Sequence, residues 1–294
     1  MGSTQFGDFH NFCRDSNLPV CNLFLESPTR DGFGYGGCTL EGIALKNGEH
    51  LANLGDILLC GVAILVATFL IWRSERKRAA VGRREMQLFL FGYILISLCE
   101  IFTIGGFPLN TTVRIAFTGI HLGAIVATAW ILLLNAVVGF QILDDGTPIS
   151  LGLILLSAAA LFIGTGYIAL DTGYSWTGHF DNTLNDPNRS IGLYVLYQLM
   201  PLVFLFGFVV LETVLVLRVL GERRPMVYLV AAVLLFAIGQ IFQYIASTHI
   251  CQGTGGRIDG SFFENLFTIF AVVVLWVFWS SITEDDWPAP ANYP

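Results

Sequence analysis

Charge is scarce in this chain. Only 13% of its 294 residues are charged, roughly half the share of an average soluble domain, which argues against a water-soluble fold. Lysine occurs twice, as Lys46 and Lys77, and neither lies in the last apolar stretch, so a retinal protein with its Schiff-base lysine there is excluded. The net charge is −7 and basic residues cluster in one loop only, which excludes nucleic acid as a partner. Catalytic signatures are missing as well: there is no G-x-S-x-G, no H-E-x-x-H and no Walker A loop. The histidines, His10, His50, His121, His179 and His249, are dispersed without ligand spacing, so neither metal nor cofactor is expected. The first residues offer no basic stretch followed by an apolar one, so no cleavable signal peptide is expected. Position 6 is Phe where myristoylation needs Ser or Thr.

What the chain has instead is apolar length. Hydrophobic residues make up 54%, with a mean hydropathy of +0.68. Leu54 to Trp72 is an apolar run of bilayer length, followed at once by Arg73, Arg76, Lys77, Arg78, Arg83 and Arg84. Basic residues flanking a span resist translocation, so this cluster marks the cytosolic side. Further spans are expected at Gln87 to Ile104, Ile115 to Phe140, Ile149 to Leu170, Ile191 to Leu217, Val227 to Ser247 and Phe262 to Ile282. The expected fold is an all-α membrane protein, a seven-transmembrane helix bundle with a luminal amino terminus and a cytosolic carboxyl terminus. Residues 1–53 form a luminal tail, 54–282 the bundle and 283–294 a short acidic cytosolic tail. Nine basic residues then fall in cytosolic loops and six in luminal segments, three of those in the long tail where the rule weakens.

Two further signals share the luminal side. Asn110-Thr-Thr and Asn188-Arg-Ser are glycosylation sequons in luminal loops. Cys13, Cys21, Cys38 and Cys251 are luminal too, an even set in an oxidising compartment that reads as two disulfides. Four cysteines allow three connectivities. The short Pro-containing loop favours Cys13–Cys21, which leaves Cys38–Cys251. Cys60 and Cys99 fall within spans and are expected to be inert core residues.

Ionisable residues in or near the spans are Asp56, Glu100, His121, Glu212 and Glu264. Asp56, Glu212 and Glu264 sit near span ends by this count, and Glu100 and His121 are the embedded pair. Such groups either make polar contacts inside the bundle or line a cavity. Gly119 and Gly123 form a G-x-x-x-G in the third span, a close-packing seam facing either the bundle or another membrane protein. Pro201 is expected to kink the fifth span. Glu284, Asp285 and Asp286 form an acidic run that is either solvated surface or an export signal read by vesicle coat machinery. A seven-helix receptor or small-solute transporter matches the helix count, although no Asp/Glu-Arg-Tyr or Asn-Pro-x-x-Tyr is present.

Six short stretches, in order, span nearly the whole chain: Cys13-Arg-Asp-Ser-Asn-Leu-Pro-Val-Cys21, Val81-Gly-Arg-Arg-Glu85, Asp144-Asp-Gly-Thr147, Ser247-Thr-His-Ile-Cys251, Asp259-Gly-Ser-Phe-Phe263 and Thr283-Glu-Asp-Asp286. Together they resemble the fungal chitin synthase export chaperone family. The resemblance implies a non-enzymatic, multi-pass protein of the endoplasmic reticulum. It would bind a chitin synthase client, prevent its aggregation, support its export and accompany it to the plasma membrane. The chain departs from that family in the few residues left after Asp286, where a longer cytosolic tail is expected.

Overall fold

The structure is a computed structural model that describes residues 6–24, 34–35, 38–44, 50–107, 109–141, 146–180 and 188–283. Seven helices in it are long and apolar enough to cross a membrane. A short helix, α1 (His10–Asp15), precedes them, followed by a 3-10 turn at Pro19–Leu23. Two small antiparallel ribbons come next, pairing β1 (Gly34–Tyr35) with β2 (Cys38–Thr39) and β3 (Ile43–Ala44) with β4 (His50–Leu51). The long helices are α2 (Leu54–Glu75), α3 (Arg83–Thr103), α4 (Thr111–Gly139), α5 (Pro148–Tyr174), α6 (Ile191–Leu220), α7 (Pro225–Gly253) and α8 (Gly260–Ser281).

Most of these helices start where an apolar run meets a capping side chain, which supplies an acceptor to the open first turn. Asn53 caps α2 by accepting from the Asp56 N–H, and Asn110 caps α4 through the Thr112 N–H. Thr147 caps α5, with Pro148 at the first helical position, and Asp259 caps α8. Pro201 does act on its helix. It has no N–H and its ring would press on the Tyr197 carbonyl, and the turn just before it, Tyr194–Leu199, is π-helical. Two more π-helical stretches follow, Leu215–Leu220 at the end of α6 and Phe242–Ala246 within α7.

The helix α4 is the centre of the packing and touches α3, α5 and α6. α3 leads on to α2, which packs on α8, and α8 carries α7. Gly119 and Gly123 mark the α4–α5 crossing. A β-carbon at Gly119 would lie 2.7 Å from the Leu170 side chain, and one at Gly123 would lie 2.7 Å from the Phe162 backbone oxygen. The small-residue seam therefore faces inward. Outward surfaces are apolar in helical stripes, such as Leu58, Val62, Leu65, Phe69 and Trp72 on α2.

The tail is part of this packing. Leu18, Pro19, Val20, Cys21, Asn22, Leu23 and Phe24 are all buried, and the Pro19–Leu23 turn wedges between α3, α4 and α5. The end of the bundle it closes is called here the tail face, and the opposite end the loop face.

Candidate functional site: polar junctions at the two ends of the bundle

Cys13 and Cys21 are joined by a disulfide with Cα atoms 5.5 Å apart, and Cys38 and Cys251 by another with Cα atoms 6.1 Å apart. The second bond links the tail to the end of α7, 213 residues later. The first closes the loop whose far side is the buried Pro19–Leu23 turn.

Hydrogen bonds extend this attachment into one junction. Asp259 is fully buried. Its Oδ1 accepts from Asn53 Nδ2 at 3.0 Å, the Ser261 N–H at 3.1 Å and Ser261 Oγ at 2.5 Å, and its Oδ2 accepts from Asn17 Nδ2 at 3.3 Å. Gln243, placed by the π-helical turn of α7, donates to the Asn17 carbonyl at 2.7 Å, and Thr248 donates to the Asp15 carbonyl at 2.6 Å. The Gly260 N–H donates to Ser247 Oγ at 3.1 Å. Gly260 is required there because a β-carbon would run into the Phe242 carbonyl and the Ser247 side chain. Three sequence stretches, 13–21, 247–251 and 259–263, thus meet at one place. At its rim Arg14 pairs with Asp15 at 2.7 Å, and this hydrogen bond holds the Asp15 carboxyl below the usual carboxylate range.

Directly beneath lies a set of buried acids. Asn265 donates to Asp56 at 2.6 Å and also interacts with Glu100, while Glu264 accepts from Gln240 and Thr268, each at 3.0 Å. Asp56 is fully buried and Glu100 is 5% exposed. Asp56 lies in the first turn of α2, at the span end as expected, and Glu100 and His121 are buried; what the structure adds is that Asp56 is enclosed as well. Asp56 starts α2 by residue count, but the docked tail and α8 roof it over. Glu100 belongs with Asp56, whereas His121 makes a separate contact, its Nδ1 2.9 Å from Thr103 Oγ1. The tail reaches that second contact too, because Asn22 donates to the Thr103 carbonyl at 3.3 Å and lies 3.4 Å from Thr118 Oγ1.

The loop face has its own junction, which joins the stretch 81–85 to residues 146–147. The Val81 carbonyl accepts from Trp279 Nε1 at 3.0 Å and the Gly82 carbonyl from Asn135 Nδ2 at 3.2 Å. Gly82 has φ +69° and caps α3, a conformation natural to glycine. Glu85, fully buried, accepts from the Gly146 N–H at 3.2 Å. Arg84 reaches Glu75 at 3.1 Å on the surface. Glu212 was also assigned to a span end, and it is only 4% exposed.

The remaining sequence candidates stand as follows. Asn110 is exposed and caps α4. Asn188 is 6% exposed, and its side-chain amide lies 3.2 Å from His10 Nδ1 under the docked tail. Of the two sequons only Asn110 therefore offers an open side chain in the folded chain. Cys60 and Cys99 are free and buried. Glu284, Asp285 and Asp286 lie outside the described residues. No group of three or more His, Cys, Asp or Glu among the described residues could hold a metal ion.

Comparison with known proteins gives this arrangement a family. Residues 5–293 match the family model described as chitin synthase export chaperone. Curated proteins of that name are similar along nearly the whole chain: 31% identity in Coccidioides immitis, covering 96% of this chain and 84% of the relative. The Chaetomium globosum protein is 32% identical over 96% of this chain and 83% of its own, and that of Phaeosphaeria nodorum 30% over 96% and 83%. No solved structure matches. With both end junctions built from stretches inside that match, the chain belongs to the chitin synthase export chaperone family.

Proposed function

We propose that the protein is a multi-pass chaperone of the endoplasmic reticulum membrane that binds a chitin synthase stoichiometrically, shields its embedded surface from aggregation and supports its export. The observation that carries this reading is the family match over residues 5–293. The tail face is luminal and the loop face cytosolic. The Arg73–Arg84 cluster lies at the loop face, as the positive-inside rule requires, and two disulfides lie at the tail face, as an oxidising lumen permits.

A holding function in lipid needs a rigid body with open apolar faces. The junctions at both ends supply rigidity. The faces are on the outer helices: only 22% of an 18-residue apolar stretch of α5, and the same share in α7, is buried within the protein. On α7 the exposed residues Val227, Val230, Leu234, Ile238, Ile241 and Ile245 make one continuous stripe. Against this stripe a client span can pack before it meets unpaired spans of its own kind. The acidic run Glu284–Asp286 follows α8 into the cytosol, where vesicle coat machinery can reach it.

Cells lacking the protein should hold chitin synthase in the endoplasmic reticulum as sedimenting aggregates, and reintroduction should release it. Normal surface delivery of every chitin synthase in such cells would refute the function. Protease protection of an amino-terminal tag in microsomes, with loss of a carboxyl-terminal tag, checks the orientation; the reverse pattern overturns it.

A further inference from the structure

At the loop face a cavity of about 300 Å³ opens between the ends of α4, α6 and α8. Glu212 lies on its wall, and the Oε2 atom of that side chain is enclosed with no hydrogen-bond partner among the described residues. An ionisable group so placed in a span is costly unless it meets a partner. The other wall groups define which partner. Trp279 has committed its indole N–H to the Val81 carbonyl, so only its π surface remains. Asn135 has given one Nδ2 hydrogen to the Gly82 carbonyl, and its side-chain oxygen can still accept. The Thr283 hydroxyl donates to the Trp279 carbonyl. These walls present the Glu212 carboxyl with its unpartnered oxygen, the Asn135 and Gln141 amides and the Trp279 ring, and the carboxylate, amide oxygens and aromatic face among them attract a cation.

The backbone supports the same reading. Directly after Glu212 the helix widens into the π-helical stretch Leu215–Leu220, which supplies Leu215, Val219 and Leu220 to the cavity. Such turns are rare and concentrate at functional sites. The stretches that continue the chain from Gln141 and Thr283, residues 142–145 and 284–294, contain no Lys, Arg or His. Arg218, on the same stretch of α6, is exposed.

We propose that this cavity receives a lysine ammonium or arginine guanidinium from the client, carried at the cytosolic boundary of one of its spans. This rests on the proposed function and orientation. Every client in the same membrane concentrates Lys and Arg at that boundary, the depth at which the cavity opens. An aminophospholipid headgroup offers similar chemistry, so the test separates the two.

The full-length chain and a chitin synthase are co-expressed, extracted in mild detergent and captured through the chaperone. Glu212→Gln keeps the shape and removes the charge, and client recovery should fall at least about tenfold, as expected when one partner of an enclosed charge pair is neutralised. Both disulfides and the elution volume should be unchanged. Equal recovery with Glu212→Gln overturns the proposal. As a second measurement in a chain that keeps Glu212, a photoreactive benzoylphenylalanine replacing Leu220 should crosslink a client peptide that contains Lys or Arg. Crosslinking to phospholipid, or to a client peptide without a basic residue, overturns it as well. If the wild-type chain captures no chitin synthase, the proposed function fails and takes this inference with it.

Discussion

Asp259 is the side chain on which the tail-face junction depends most, and its removal gives a graded test. Truncation in Asp259→Ala deletes the cap of α8, worth about 1 kcal/mol. It also strands the buried Asn17 amide, whose one bond to a side chain among the described residues is to Asp259 Oδ2, at about 1–3 kcal/mol. Asn53 loses less, because its Nδ2 also lies 2.9 Å from Ser261 Oγ. The total is about 2–4 kcal/mol against the docked tail. Hydrogen exchange in detergent micelles reads this directly: the backbone amides of residues 17, 18 and 20–24 should exchange roughly 30- to 700-fold faster, since each 1.4 kcal/mol is about tenfold. Asp259→Asn should cost below about 1 kcal/mol, because an Asn still caps the helix and the Asn17 amide can turn its oxygen towards the new amide. Unchanged exchange in Asp259→Ala, or equal damage from both variants, would mean that the junction does not hold the tail down.

The two disulfides should differ in weight. Loop-closure entropy for a separation of 213 residues is about 5 kcal/mol against about 2.5 kcal/mol for a separation of 8, with the membrane lowering both by restraining the unfolded chain. Paired Cys38→Ala and Cys251→Ala should therefore lower the melting temperature more than Cys13→Ala with Cys21→Ala, and the opposite order would refute the entropic argument. Gly123→Ala should reduce the yield of monodisperse protein more than Gly119→Ala, with overpacking of about 1–3 kcal/mol. The obstacle at Gly123 is the Phe162 backbone, while at Gly119 it is the movable Leu170 side chain; equal yields would count against a seam facing α5. Replacing Glu284, Asp285 and Asp286 by Ala should slow vesicle packaging of protein and client without changing either disulfide, and an unchanged budding assay would leave the run as solvated surface.

The bundle was legible because its cause is local. A run such as Leu54–Trp72 carries its own requirement for a helix in lipid, whatever the rest of the chain does, and all seven spans appear as long apolar helices. The disulfide pairing was partly legible too, since four cysteines on one side leave few choices. The polar sites were not. The enclosure of Asp56 could not be read from its place at the start of α2, because its partner Asn265 is 209 residues away. Asn188 looked like an open sequon because nothing local reveals that His10 lies against it. Glu212 was placed near a span end by residue count, but packing enclosed it and left Arg218, further along the same helix, outside.

By itself, then, the amino-acid sequence determined seven long apolar helices and the end of the bundle at which four cysteines pair. These follow from apolar length and the placing of charge. The tertiary structure alone decided that the tail is a wedge in the bundle, that Gly119 and Gly123 face α5, and that stretches far apart in the chain close each end. Those outcomes depend on which buried donors and acceptors meet across helices, and no single segment carries that information.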